Sequence, residues 1–120
     1  MDKFDLIVIG SGAGMHIVSS SIGEGMRLAL VERGPLGGTC LNNGCIPSKI
    51  LIYPADVIRA IQASKSIGVD ASITGIDFPR IMKRMRSVVE SGRKKLERSI
   101  ESEKKSLCTE VVQSSPITIH

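Results

Sequence analysis

Tryptophan is absent from this sequence, and Phe4, Tyr53 and Phe78 are its only aromatic residues. None of the three interleaves with basic residues, so there is no stacking platform of the kind that holds nucleic-acid bases. No apolar run approaches the ~18 residues that suggest a bilayer span, and Met1-Asp2-Lys3 leads into an apolar segment without a cleavage-site pattern. A soluble, cytoplasmic protein is the expectation, with neither nucleic acid nor membrane as a partner. Cysteine is scarce too, with only Cys40, Cys45 and Cys108. In a reducing compartment three cysteines are poor structural staples, so the close pair points to redox or metal chemistry. Structural zinc normally takes four ligands, and Cys108, His16 and His120 supply no second pair at a recognisable spacing, so no metal is expected.

At 120 residues and 42% hydrophobic, the chain has the size and apolar content of one domain with one core. Its net charge of +4 is concentrated: ten of sixteen basic residues fall between Arg80 and Lys105. That segment also carries Glu90, Glu97, Glu101 and Glu103, while Ile81, Met85, Val88, Val89, Leu96 and Ile100 recur at roughly helical spacing. It reads as an amphipathic helix with a solvated outer face.

The opening third is the most informative. Phe4 to Ile9 is an apolar run of strand length that ends in Gly10-Ser11-Gly12-Ala13-Gly14. A helix is expected from about Gly12 to Gly25, then a second strand from Arg27 to Val31 closed by Glu32-Arg33-Gly34. Strand, glycine turn, helix, strand and terminal acid form the opening unit of a dinucleotide-binding fold. Gly10 permits the tight turn, and Gly12 lets the backbone approach a pyrophosphate at the positive end of the helix. Glu32 stands where an acid accepts hydrogen bonds from ribose hydroxyls. The third motif position, which serves close helix–strand packing, holds Met15, and Gly14 is displaced from it by one. FAD and NAD remain alternatives at this point.

Cys40 and Cys45 lie five apart in Gly37-Gly38-Thr39-Cys40-Leu41-Asn42-Asn43-Gly44-Cys45. At a helix entrance, with Gly44 relaxing the backbone, their sulfurs can come within disulfide range. A helix start also favours a thiolate, so Cys40 is expected to alkylate ahead of Cys45. Beyond the pair, a helix is expected from Pro47 to about Ser66, bent or divided at Pro54 and ended by Gly68. A loop follows from Val69 to Gly75, and the long basic helix starts with Asp77 as its cap and Pro79 in its first turn. Gly92 within that helix marks either close packing or a weak point.

The run GGTCLNNGCIPSK, Gly37 to Lys49, resembles the redox-active disulfide motif of the class I pyridine nucleotide–disulfide oxidoreductases. These flavoproteins include dihydrolipoamide dehydrogenase, glutathione and mycothione reductases and mercuric reductase. The resemblance implies an α/β, Rossmann-like FAD-binding domain, a parallel sheet with helices, present here in incomplete form. It implies that Gly10, Gly12 and Gly14 line the FAD pyrophosphate and that Glu32, with Arg33 beside it, serves the adenosine ribose. Gly38 and Thr39 are expected to lie along the cofactor. Cys40 matches the interchange thiol, Cys45 the thiol that lies against the flavin, and Lys49 the lysine near flavin N5.

The implied activity is most like that of dihydrolipoamide dehydrogenase. Electrons pass between a dithiol such as lipoamide, the Cys40–Cys45 disulfide, FAD and NAD(P). A mycothione, glutathione or mercuric reductase is the alternative, as is a non-catalytic truncated fragment. In this family a His–Glu pair from the second subunit of a homodimer supplies the acid/base, and neither His16 nor His120 stands in that pattern. The NAD domain of the longer family members is likewise not expected in this chain, which should be inactive by itself. Residues 1–105 are expected to form the N-terminal part of the FAD-binding domain, and 106–120 a tail of uncertain structure. There the family's hydrophobic-Tyr-x-Gly-x-Ala pattern is missing, and a shifted reading frame can encode it.

Overall fold

The structure is a computed structural model that describes residues 3–21, 24–104 and 110–113. Its first unit is strand β1 (Leu6–Ile9), helix α1 (Gly14–Ser21) and strand β2 (Leu28–Glu32). Short helix α2 (Gly38–Asn42) and helix α3 (Cys45–Ala63) follow, with a 3-10 turn at Ser64–Ile67. Helix α4 (Phe78–Lys104) and strand β3 (Glu110–Gln113) complete it. The three strands are parallel in the order β1-β2-β3, with Val8 opposite Leu30 and Val31 opposite Val112. This is the Rossmann-like α/β arrangement expected from the opening unit.

Alternation along β1 decides where the core lies, whereas β2 is buried at Leu28, Ala29 and Leu30 in succession. Val8, Leu28 and Leu30 are buried on one face together with Val18 of α1 and Ile100 of α4, and Leu6, Met15 and Leu36 pack against them. The other face of β1 presents Ile7 at 59% and Ile9 at 84% exposure. The chain exposes 9141 Å², against roughly 6,300 Å² expected for a compact monomer of its mass. It therefore builds one side of an α/β layer structure and leaves apolar surface on the other.

Local chemistry explains the boundaries. Helix α1 starts at Gly14 rather than Gly12 because its first turn is spent on tight bonds, from Met15 N to Gly12 O and from His16 N to Ala13 O. Ser19, Ser20 and Ser21 donate their hydroxyls to the carbonyls four residues back, each at 2.9 Å. The expected end of this helix near Gly25 falls next to residues 22–23, which lie outside the described residues. Helix α3 begins at Cys45 rather than Pro47, because a first-turn proline gives up no intrahelical bond. Pro54 lies inside it without dividing it, and Gly68 closes the following turn at φ 84°. Asp77 caps α4 as expected, its Oδ1 accepting from Arg80 N at 2.9 Å.

On α4, Val89 and Ile100 are buried and Ile81, Met85 and Leu96 half-buried, whereas Val88 is 40% exposed and falls off the stripe. No helix among the described residues is long and apolar enough to cross a membrane.

Candidate functional site

The glycine turn and the cysteine loop are packed backbone to backbone. Gly10 leaves β1 at φ 89° and donates its N–H to Val31 O at 2.8 Å, which holds the turn at the carboxyl ends of both strands. Gly38, at φ 60°, lies so close that a Cβ there would sit 2.6 Å from Gly12 Cα and 3.1 Å from Gly12 N. A Cβ on Gly14 would stand 2.6 Å from Val8 Cγ1, so Gly14 supplies the close helix–strand approach that the motif otherwise assigns to the next position. Met15 is free to turn its side chain to the core.

Glu32 ends β2 beneath this turn. Its Oε2 accepts from Ser11 N at 2.8 Å and from Ser11 Oγ at 2.5 Å, and its Oε1 accepts from Gly34 N at 3.0 Å. The Ser11 hydroxyl first, against the opposing cost of burial and with help from the backbone of Ser11, Gly34 and Arg33, holds the carboxyl below the usual glutamate range. The Arg33 backbone adds to these donors, so most of the carboxylate's acceptor capacity is engaged within the turn itself. Ser11 is almost fully buried and also accepts from Gly37 N at 3.0 Å, joining the acid, the turn and the cysteine loop. Sequence patterning does not reveal this link, since Ser11 occupies an unspecified position of the glycine motif. Arg33 is exposed beside Glu32.

Cys40 lies within α2 and Cys45 opens α3. Gly44 makes the reversal between them possible: a Cβ there would meet Thr39 O at 2.9 Å and Cys40 Cα at 3.3 Å. Both thiols are free and exposed. The hydrogen bond between them favours the protonated form of Cys40 and pushes its thiol up, with desolvation and the charge of Cys45 acting in the same direction. Lys49, one turn along α3 from Cys45, pulls it back only in part. It is therefore Cys45, not Cys40, that stands at the start of the long helix. The raised Cys40 reverses the reason for expecting that thiol to alkylate first.

The structure thus gathers Cys40, Cys45 and Lys49 at one point, with Gly38 tying that point to Gly12 and exposed Thr39 on the same short helix. His16 lies on α1, exposed, and Cys108 and His120 fall outside the described residues.

The sequence profile described as pyridine nucleotide-disulphide oxidoreductase matches residues 4–118. The chain belongs to this family. The match runs to residue 118, and β3, paired with β2 from Ala29↔Glu110 to Glu32↔Gln113, lies within residues 106–120. Dihydrolipoyl dehydrogenase of Chlamydia pneumoniae is 40% identical over 103 residues, covering 85% of this chain and 22% of that protein. Mycothione reductase of Mycobacterium tuberculosis is 36% identical over 85 residues, 71% of this chain and 18% of the relative. Mercuric reductase of Streptomyces lividans is 41% identical over 81 residues, 66% of this chain and 17% of the relative. The chain spans about a fifth of the length of the curated relatives it matches. Members of the family are oxidoreductases that use FAD and NAD(P).

Proposed function

We propose that this chain is the FAD-binding, disulfide-bearing portion of a dihydrolipoyl dehydrogenase-like oxidoreductase. The observation that carries the reading is the reversal at Gly44 that brings Cys40 of α2 back to Cys45 at the start of α3, with Lys49 one helical turn on and a dinucleotide turn in backbone contact with the loop that bears them. The residues present fit FAD. Gly10 leaves open space beside its backbone at the turn, Gly12 and Gly38 bring the turn and the cysteine loop into backbone contact, the N-terminus of α1 faces the same turn, and Glu32 ends β2 beside it. When bound, the flavin supplies two-electron exchange between thiols and a pyridine nucleotide.

The residues of this chain do the thiol chemistry. A substrate thiolate attacks the Cys40 sulfur of the Cys40–Cys45 disulfide, which breaks the S–S bond and releases the Cys45 thiolate. The second substrate thiolate then attacks the mixed disulfide, releasing Cys40 and leaving the substrate oxidised by two electrons and the protein pair reduced by two. Lys49 places a positive charge beside this pair and so favours negative charge that develops there. The reductase direction is the reverse of these steps. A lipoamide-type dithiol is the proposed substrate, with a mycothiol- or glutathione-type disulfide or mercuric ion as the alternative substrate class. The full-length protein is proposed to act as a homodimer with NAD(P).

Two measurements on the purified chain test the reading. Mild oxidation followed by peptide mapping should give a Cys40–Cys45 linkage, and added FAD should bind with a shifted flavin absorbance band. A dominant Cys108 linkage together with no flavin binding would refute it.

A further inference from the structure

We propose that Gly92 and Arg93 of α4 are positioning residues for the cysteine pair, so that the long basic helix sets the redox equilibrium of Cys40 and Cys45 without touching either sulfur. The inference rests on reading the pair as redox-active. Residues 89, 92, 93, 96 and 100 form one stripe of α4, and each has an identified position. Ile100 is buried in the sheet core, which anchors the helix. One turn earlier, Leu96 packs on Gly37, where a Cβ would come 3.1 Å from Leu96 Cδ1. At Gly92 the helix has a notch that receives Leu41, and a Cβ there would come 2.7 Å from Leu41 Cδ1.

Arg93 adds a polar tie. Its Nε donates to Asn42 Oδ1, and the two hydrogens of Asn42 Nδ2 are shared among Gly38 O at 2.8 Å, Leu36 O at 3.1 Å and Pro35 O at 3.2 Å. A guanidinium on the amide oxygen polarises the amide and strengthens the bonds its nitrogen makes. Leu41 and Asn42 are the two residues that follow Cys40. The helix therefore grips α2 by a steric lock and a charged hydrogen bond, immediately beside the thiol that must stay near Cys45.

The consequence is thermodynamic. Oxidised glutathione and the two protein thiols exchange to give two reduced glutathiones and the Cys40–Cys45 disulfide, with the two thiol protons passing to the glutathione sulfurs. The more firmly the dithiol form already holds its sulfurs together, the less freedom closing the bond removes, and the larger the equilibrium constant. Loosening the grip on α2 lowers it.

The test equilibrates the full 120-residue chain with glutathione redox buffers, quenches by alkylation and measures the oxidised fraction at Cys40 and Cys45 by mass spectrometry. Arg93→Met, which keeps the stem and removes the donor, should lower the constant about three- to tenfold, the range expected from losing one hydrogen bond of ordinary net worth at a half-exposed side chain. Gly92→Ala should lower it in the same direction. Arg93→Lys should recover part of the loss, and Arg98→Ala, an exposed cation on the same helix, should change nothing. A constant for Arg93→Met within about twofold of the unsubstituted chain, with helical circular dichroism retained, overturns the inference, as does an equal shift from Arg98→Ala. Absence of any Cys40–Cys45 disulfide in the unsubstituted chain overturns the redox reading as well, whereas an unaltered constant in Arg93→Met overturns this inference alone.

Discussion

Replacing Gly38 with alanine tests whether the dinucleotide turn and the cysteine loop form one unit. Two costs add. Gly38 holds φ at 60°, and an L-residue with a Cβ in the left-handed region costs about 1–2 kcal/mol. The new methyl would also lie 2.6 Å from Gly12 Cα and 3.1 Å from Gly12 N. Both neighbours are backbone, so no side chain can swing aside, and overpacking of this sort costs about 1–3 kcal/mol. The expected loss is therefore about 2–5 kcal/mol, a large share of what a small domain has.

Gly68 separates the two terms, because it has φ 84° but nothing within 4 Å of its missing Cβ. Gly68→Ala should cost only the conformational ~1–2 kcal/mol. Urea unfolding followed by circular dichroism measures both, and with a slope of about 1–3 kcal/mol/M the extra clash should lower the Gly38→Ala midpoint by roughly 1 M more. Flavin binding should fall with Gly38→Ala and persist with Gly68→Ala. Equal midpoints for the two variants, or unchanged flavin affinity in Gly38→Ala, would show that the contact between the loops carries no energy.

Other consequences are directly measurable. Since the hydrogen bond from Cys45 is the largest influence raising the Cys40 thiol, Cys45→Ala should move the pH profile of Cys40 alkylation to lower pH, and a profile that stays in place would contradict the geometry. Glu32 is held below its ordinary range chiefly by the Ser11 hydroxyl, so its contribution to stability is present above about pH 4.3 and is lost as pH falls through the depressed folded value. Ser11→Ala should thus lose more stability, by urea midpoint, at pH 7 than at pH 3, and a loss independent of pH would sever that link. The 120-residue chain alone should show no lipoamide-dependent NAD reduction above a Cys45→Ser control even with FAD, because a positioned acid/base typically contributes 10²–10⁴-fold and neither His16 nor His120 stands in the family's His–Glu pattern. Exposed Ile7 and Ile9 should drive concentration-dependent self-association, and Ile9→Ser should reduce it in sedimentation velocity.

How much was legible depends on how far apart the interacting residues lie. The glycine turn, the Asp77 cap and the Gly68 stop follow from residues within a few positions of one another, where steric and capping rules act directly. The start of α1 is not legible in periodicity, because the tight bonds from Met15 N and His16 N to the carbonyls three residues back are set by the backbone of the turn. The buried Ser11 junction spans 21 residues to Glu32 and 26 to Gly37, and the tie from Arg93 to Asn42 spans 51. No local pattern marks either. Gly92 is an anomaly in a helix, and only its contact with Leu41 distinguishes a packing notch from a weak point.

By itself, the sequence determined the chemistry available: two thiols five residues apart, a lysine beyond them, a glycine turn after a strand, and an acid at the end of the next. Covalent order and backbone sterics suffice for these, because each depends on residues that are neighbours along the chain. Tertiary structure alone decided that Cys45 rather than Cys40 opens the long helix, that Glu32 enters the site with most of its acceptor capacity already engaged by Ser11 and Gly34, and that the basic helix braces the cysteine loop. Those outcomes depend on which surfaces meet when α4 anchors Ile100 in the sheet core, and close packing between distant segments sets them.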